Sequence, residues 1–290
     1  MTPDWSATLR TIVLTEVYQA AHVPFTTLLS CGNVLKLPNP VNMNQTRMRC
    51  LDSSWFVTYK ADGTRCLWVS AVYMGMHFVL TLNRRCEMEI LSSSPSDHPA
   101  GIIYALDCEA VEGSLICHDI LISERVPVLF RAFAKRLKLL YMLRSYPELP
   151  QPKSFFPCGQ VNMVPGIGDG LIFVHSQDKF QTGKTDTIIK WKPLNEISVD
   201  LLVTKDLEVL MSSGGKLIPF ARSIVEYELP LSECCERIVE FNFAEGAWYP
   251  CRIRADKSTP NDAFVVKETE ESVLQPIHKE ALFRVCLQIP

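Results

Sequence analysis

In this 290-residue chain, the residue best placed for covalent chemistry is Lys60, which leaves an aromatic, β-branched run and enters a polar turn. Trp55-Phe56-Val57-Thr58-Tyr59 precedes it and Cys66-Leu67-Trp68-Val69 follows the turn Ala61-Asp62-Gly63-Thr64-Arg65, so two strands are expected to meet at the lysine. Asp62-Gly63 suits a tight turn, because glycine accepts φ > 0 and aspartate can bond its own backbone two residues on. Only a neutral amine is nucleophilic, so Lys60 needs burial or neighbouring cations to lower its pKa. Arg65 is one such cation. A plain hairpin with an exposed lysine is the competing reading of this stretch.

Other candidates fall at the ends of separate strand-like segments. Arg84 follows His77-Phe78-Val79-Leu80-Thr81-Leu82. Asp107 and Glu109 stand two apart in Ile102–Val111, hence on one face of a strand. His118 and Asp119 lie in the next strand. Gly166-Ile167-Gly168-Asp169 precedes a strand instead of opening a helix, so its glycines are not a dinucleotide fingerprint. Lys190 and Lys192 alternate onto one face of Ile188-Ile189-Lys190-Trp191-Lys192-Pro193, and a last group comprises Arg252, Arg254, Asp256 and Lys257.

The elements that must position these residues read as a mixed α+β chain. A helix is expected over 6–22, with Leu9, Ile12, Val13, Val17 and Ala20 on one face. A second is expected over 126–144. There Arg131, Lys135, Lys138 and Arg144 lie largely off the apolar stripe, as a solvated face or, alternatively, a surface for RNA. After residue 198 come short strands with turns at 199–203, 207–211, 224–227, 237–242 and 248–254, the spacing of a small β-barrel. A turn at Thr259–Asp262 and a short closing helix within 268–277 complete the expectation.

Composition narrows the class. Hydrophobic residues make up 47% and charged residues 21% of the chain, as in soluble globular proteins. A net charge of −3 means that any nucleic-acid contact must use a local basic surface. Eleven cysteines, an odd number with no CxxC pair, argue against a disulfide scaffold and structural zinc. Cys66, Cys108, Cys117 and Cys251 are read as reduced packing residues. With no signal-peptide layout at the start and no apolar run of membrane-span length, an intracellular, reducing compartment and no membrane partner are expected.

Taken in order, Lys60-Ala-Asp-Gly-Thr-Arg, Asp107-Cys-Glu, Asp169-Gly-Leu-Ile-Phe, Ile188-Ile-Lys-Trp-Lys-Pro and Arg252-Ile-Arg-Ala-Asp-Lys-Ser-Thr-Pro-Asn resemble the motif set of covalent nucleotidyltransferases. Within that superfamily, which includes the DNA and RNA ligases, they are most similar to the mRNA capping guanylyltransferases, from about Asn39 to Asn261. The resemblance implies a nucleotidyltransferase domain of antiparallel sheets with flanking helices (1–198). An OB-fold β-barrel (199–290) would follow, its last residues packing back on the first domain. GTP would bind in the cleft between the two, which close for catalysis. Lys60 would attack the α-phosphate of GTP and hold GMP as a phosphoramidate until the 5′-diphosphate end of RNA takes it, forming the cap.

By the same resemblance, Lys190 and Lys192 contact the α-phosphate, and Arg65 and Arg84 hold ribose or phosphate. Glu109 and Asp169 bind ribose or a divalent cation, with Mg²⁺ or Mn²⁺ suited to their hard oxygens. Asp107 is their supporting neighbour. Arg252, Arg254, Asp256 and Lys257 orient the leaving pyrophosphate, Asp256 as a partner of the cations and not as a metal ligand. His118 stands where the family has an aromatic that stacks on guanine, with packing as its other reading; Asp119 matches the family, and Asp200, at the domain junction, is read as structural. The alternatives are an ATP-dependent polynucleotide ligase, disfavoured by Asp169 and Trp191, and a non-catalytic scaffold of a capping complex. An RNA 5′-triphosphatase on a separate chain, the phosphorylated C-terminal domain of RNA polymerase II and nuclear residence follow as expectations.

Overall fold

The computed structural model describes residues 5–20, 37–166, 169–227, 229–255 and 257–290. Two compact units divide the chain: Met1–Val41, Asp52–Gly168 and Ile172–Ile189 form one, and Asn42–Leu51, Asp169–Leu171 and Lys190–Pro290 the other.

Two sheets carry the first unit. Its strands are β1 (Pro38–Asn42), β2 (Trp55–Tyr59), β3 (Thr64–Tyr73), β4 (Met76–Asn83), β5 (Met88–Pro95), β6 (Gly101–Val111), β7 (Ser114–Ser123), β8 (Val126–Pro127), β9 (Gln151–Pro152), β10 (Phe156–Pro157), β11 (Leu171–His175) and β12 (Gly183–Trp191). The larger sheet runs β5-β4-β3-β6-β7-β8, with β9 parallel to β7; the smaller runs β1-β12-β11-β2-β10. Asn42, Leu171, Lys190 and Trp191, at strand ends of the smaller sheet, are counted with the second unit.

The strongly apolar run of β3 has its reason in burial on both faces of the larger sheet. Leu67 and Val69 pack with Leu9, Val13 and Val17 of helix α1 (Trp5–Ala20), which begins one residue before the expected span. Cys66 and Trp68 pack on the other side with Phe133, Leu137 and Leu140 of a later helix, Phe133–Met142. That helix is shorter than its apolar spacing implied, because Val126 pairs in β8 and Val128 and Leu129 are buried before the helix starts.

In the second unit, helix α2 (Gln45–Arg49) begins at Asn44, whose side chain accepts from the Arg47 amide at 2.8 Å. The strands are β13 (Ser198–Val203), β14 (Val209–Ser213), β15 (Lys216–Pro219), β16 (Arg237–Ala244) and β17 (Ala247–Ile253), paired antiparallel in the order β15-β14-β13-β16-β17. The expected strand at 224–227 is reduced to one parallel bridge, Ile224 to Trp248. Two backbone bonds hold it, Trp248 N to Ser223 O at 3.0 Å and Val225 N to Trp248 O at 2.9 Å. This bridge brings the chain after one edge strand back against the other edge strand. The strand order is thus that of an OB-fold, but the sheet does not close into the expected barrel: β15 and β17 do not pair, and only the bridge from Ile224 reaches the far edge.

The Phe133–Met142 helix is α3 in chain order, followed by α4 (Ala263–Leu274) and α5 (Lys279–Leu287). Asp262 caps α4 by accepting from the Phe264 amide at 3.0 Å, which explains the turn residues read just before it. Val266 and Val273 of α4 pack into the β13–β17 core with Val199, Leu201 and Phe241. Cys66, Cys108 and Cys117 are buried thiols as expected, but Cys251 is exposed on β17, where alternation turns it away from the core. No disulfide occurs among the described residues.

Candidate active site

Lys60 is not in a hairpin. β2 belongs to the smaller sheet and β3 to the larger, so the lysine marks the point where the chain crosses from one sheet to the other. Gly63 is required there for a reason other than positive φ, which it does not have. A Cβ on it would collide with the carbonyl oxygen of Ala110 and stand 2.7 Å from Val111 Cγ2 and 2.9 Å from Glu109 Cγ. The turn must therefore press its backbone on β6, and that contact sets Lys60 beside the acidic strand.

On β6 the cross-strand register pairs Arg65 with Glu109 and Leu67 with Asp107, so Arg65, Asp107 and Glu109 share a face. Arg65 grips Asp107 with two donors: Nε to Oδ1 at 2.9 Å, and a terminal nitrogen to Oδ2. Its other terminal nitrogen donates to the Pro38 carbonyl at 2.5 Å. Burial of Asp107 would raise its pKa, but Arg65 and His118 outweigh burial and hold the carboxyl well below the usual range. Arg84 lies close enough to Arg65 that burial and this like charge lower its pKa; its guanidinium reaches Asn39 Oδ1 at 3.3 Å.

His118 is placed by a β-bulge. Asp107 pairs with Asp119 and Cys108 with Cys117, which leaves His118 without an opposite residue and re-aims its ring. The imidazole Nε2 lies 3.1 Å from Asp107 Oδ1, with the side chain 21% exposed. It is therefore neither a core histidine nor an untethered stacking platform, but a ring held edge-on by a carboxylate. Asp119, directly opposite Asp107, forms a fork with the buried Arg136, at 2.8 Å to each oxygen. Arg136 also binds Asp178 and three backbone carbonyls, an internal network that fixes α3 on the sheet.

Lys153, which the sequence reading passed over, completes this group. Its side chain is almost fully buried, with Nζ 4.2 Å from the centre of the Tyr59 ring. Burial pushes its pKa down to about 8, Lys60 adds to the fall, and Glu109 opposes it. Its amide donates to the Cys117 carbonyl at 2.7 Å, and the next carbonyl, of Ser154, accepts from Thr58 Oγ1 at 2.8 Å. The only signal in the sequence was a lysine in the stretch Pro152-Lys153-Ser154-Phe155-Phe156.

In the second unit, Asp169 and Lys192 form an ion pair at 3.1 Å, and Lys192 Nζ also donates to the Glu196 carbonyl at 2.9 Å. Gly170, at φ +126°, admits no side chain: a Cβ would overlap the Trp191 carbonyl oxygen and stand 3.1 Å from Lys192 Cα. Trp191 is buried and donates from Nε1 to the Ile277 carbonyl at 2.7 Å. Lys190 and Lys192 alternate with it and are half-buried. The Asp-Gly and Lys-Trp-Lys stretches are thus one interlocked structure.

The last group sits on the β13–β17 sheet. Asp200 pairs across strands with Glu240, and Glu240 with Arg252. Arg254 reaches Asp200 at 2.9 Å, and Lys257 Nζ binds the other oxygen of the same carboxylate. Arg252 reaches Glu240 at 2.6 Å, with its side chain 64% exposed. Burial would raise the Glu240 pKa, but Ser198, Arg252 and Arg254 lower it. Asp200 is thus an ion-pair partner of the cations, and Glu240 is the second carboxylate that sequence reasoning missed. Asp256 lies outside the described residues.

The chemistry of these groups is that of anion handling. Among the described residues no three His, Cys, Asp or Glu side chains are grouped to hold a metal ion. Glu109 and Asp169 each offer hard oxygens, so a divalent cation fits this donor set only as one held largely by phosphate oxygens and water.

Comparison with known proteins gives these groups their context. Residues 183–283 match the family model described as mRNA capping enzyme, C-terminal domain. An mRNA-capping enzyme of Danio rerio is 25% identical over 301 residues, covering 86% of this chain and 50% of the relative. One of Mus musculus is 34% identical over 125 residues, covering 40% of this chain and 20% of the relative. The chain thus spans half or less of the length of these relatives. Among solved structures, a mycobacterial DNA ligase D complexed with ATP and MES is 15% identical, with a TM-score of 0.47, covering 79% of this chain and 97% of that one. The resemblance read from the motifs is therefore shown: residues 183–283 match the C-terminal domain model of mRNA capping enzymes, and most of the chain is similar to an mRNA-capping enzyme.

Proposed function

We propose that the protein is an mRNA guanylyltransferase working through a covalent lysyl-GMP. The observation that carries this reading is the setting of Lys60, at the crossing between two sheets where Gly63 presses on β6, with the buried Lys153 over the ring of the preceding Tyr59. The neutral Nζ of Lys60 attacks the α-phosphorus of GTP; a P–N bond forms, the bond to pyrophosphate breaks, and the ammonium proton passes to solvent. A terminal oxygen of the RNA 5′-diphosphate then attacks the same phosphorus, the P–N bond breaks, and Lys60 takes a proton back.

Such transfer depends on positioning and on neutralising charge at the phosphate. Arg65 is already oriented by Asp107 and presents its remaining donors, Arg84 adds a second guanidinium, and Lys190 and Lys192 supply further charge. Arg252, Arg254 and Lys257, held by Asp200 and Glu240, serve the leaving pyrophosphate. Glu109 and Asp169 are each suited to a Mg²⁺ or Mn²⁺ that would come with the nucleotide and further neutralise its phosphates. His118, oriented by Asp107, offers a ring edge or face to the base. The relationship to capping enzymes further supports 5′-diphosphate RNA as acceptor, a triphosphatase partner, the phosphorylated polymerase tail as a docking partner and residence in the nucleus. The division into a catalytic domain to residue 198 and an OB-fold domain after it belongs to the same proposal.

The test is incubation with α-labelled GTP or ATP and a divalent cation, followed by denaturation. Acid-labile label from GTP alone, absent in Lys60→Ala, is expected. Label from ATP alone would move the protein to the ligases, and no label from either would leave a nucleotide-binding scaffold.

A further inference from the structure

The segment that runs through α3 carries a line of exposed cations. Lys135 and Lys138 are exposed three residues apart on one side of the helix, and exposed Arg131 lies in the bend just before its N-cap Ala132. Met142 continues the line, and Arg144 follows it, with its guanidinium 4.2 Å from the Tyr141 ring centre. None of Arg131, Lys135, Lys138 or Arg144 makes an ion pair among the described residues. The fifth cation here, Arg136, shows the contrast: it turns inward to Asp119 and Asp178.

This placement does not serve the helix. α3 has no acidic residue in its first turn and no side-chain cap, so Arg131 and Lys135 crowd the end where the helix dipole disfavours positive charge. Exposed aromatics bracket the line, Phe130 at 41% and Tyr146 at 45%. A row of cations flanked by exposed rings is what a single-stranded nucleic acid uses, phosphates on the former and bases on the latter. The chain as a whole carries a charge of −3, which makes the local stripe the more distinctive.

The helix is also tied to the Lys60 group. Tyr141 Oη accepts from the Phe155 amide at 2.8 Å, Phe155 packs edge-on against Phe133 at 5.1 Å, and the neighbouring Ser154 carbonyl accepts from Thr58, two residues before Lys60. We propose that the exposed cationic surface running from Phe130 through the outer face of α3 to Tyr146 is a track for the single-stranded 5′ region of the RNA acceptor. This rests on the guanylyltransferase reading for the identity of the acceptor.

The test compares the wild type with the triple variant Arg131→Gln, Lys135→Gln, Lys138→Gln, and with a control pair, Lys216→Gln, Lys267→Gln, exposed cations elsewhere. Binding of a 5′-diphosphate RNA of about 20 nucleotides is followed by fluorescence anisotropy across a salt series, so the result does not depend on turnover. Three phosphate contacts predict a salt slope shallower by about 2 in the triple variant, at roughly 0.7 per contact. An affinity loss of about tenfold or more is expected, with unchanged melting temperature and unchanged GMP labelling. Equal RNA binding in wild type and triple variant overturns the track, as does an equal loss in the control pair. So does a variant that keeps RNA binding and loses only a phosphoserine peptide. Absence of GMP labelling in the wild type would instead count against the guanylyltransferase reading, while the anisotropy still decides the track.

Discussion

Replacing Lys153 by methionine is expected to stabilise the protein and impair it at once. Lys153 is 5% exposed and its pKa is pushed from 10.5 to about 8, chiefly by burial. The unfolded chain therefore binds a proton between pH 8 and 10.5 that the folded chain lacks, and stability should rise with pH across that window. Below pH 8 both states are protonated, and the lysine costs the fold about 3 kcal/mol, at roughly 1.4 kcal/mol for each unit of displacement. The ammonium over Tyr59 recovers part of this, about 1 kcal/mol for a partly desolvated cation–π contact. A methionine of similar length removes both, so a net gain of about 2 kcal/mol at pH 7 is expected, falling towards zero above pH 10.5. Urea unfolding of wild type and Lys153→Met at pH 7 and near pH 10.5 measures it. Labelling of Lys60 by GTP should fall in the same variant, since a charge coupled to Lys60 and Glu109 has been removed. A variant less stable than wild type at pH 7, or an advantage that does not shrink with pH, would refute the burial argument.

Gly170→Ala forces a Cβ into the Trp191 carbonyl at φ +126°, and should lower stability by at least about 2 kcal/mol, read as a drop in melting temperature. Asp107→Asn tests the acid limb. The Asp107 pKa is depressed in the fold, so its contribution is present above the unfolded carboxylate range and is lost as pH falls below it. The variant should be less stable near neutral pH, with the gap narrowing in acid, and equal losses at pH 7 and pH 3 would contradict the assignment. Arg136→Met leaves Asp119 and the buried Asp178 facing each other without their cation, a loss of about 3–5 kcal/mol. Restoration of stability by the added change Asp178→Asn would tie that loss to the charge.

How far the site was legible depended on whether a residue's role is local. Lys60, Arg65, Glu109, Asp169 and the Lys-Trp-Lys strand stand in short stretches whose types and spacing carry meaning, and their strands formed where the alternation placed them. What the turn after Lys60 does was not legible. Asp-Gly reads as a hairpin signal, yet Gly63 serves close approach to β6, and the strands on either side belong to different sheets. A local pattern fixes a chain reversal but not the partner of the next strand. The span of α3 was overread for a similar reason, since an apolar spacing continues through a short strand and a buried coil as readily as through a helix.

The partners that no motif could reveal are all long-range in sequence. Lys153 meets Tyr59, Asp107 meets His118 through a bulge, and Glu240 lies between Asp200 and Arg252. The Asp200–Glu240 pair is the most informative of these. Two carboxylates directly opposite on adjacent strands repel and would weaken the sheet on their own. Here Arg252, Arg254 and Lys257 converge on them, so the repulsion is offset only while the cations stay. The side chains that the proposed function gives to pyrophosphate are thus already engaged with protein carboxylates, and on that proposal an incoming polyphosphate would compete with Asp200 and Glu240 for them. A site built this way exchanges one set of charged contacts for another instead of burying bare cations. On the proposed function it would take up and release a highly charged product without holding it too tightly.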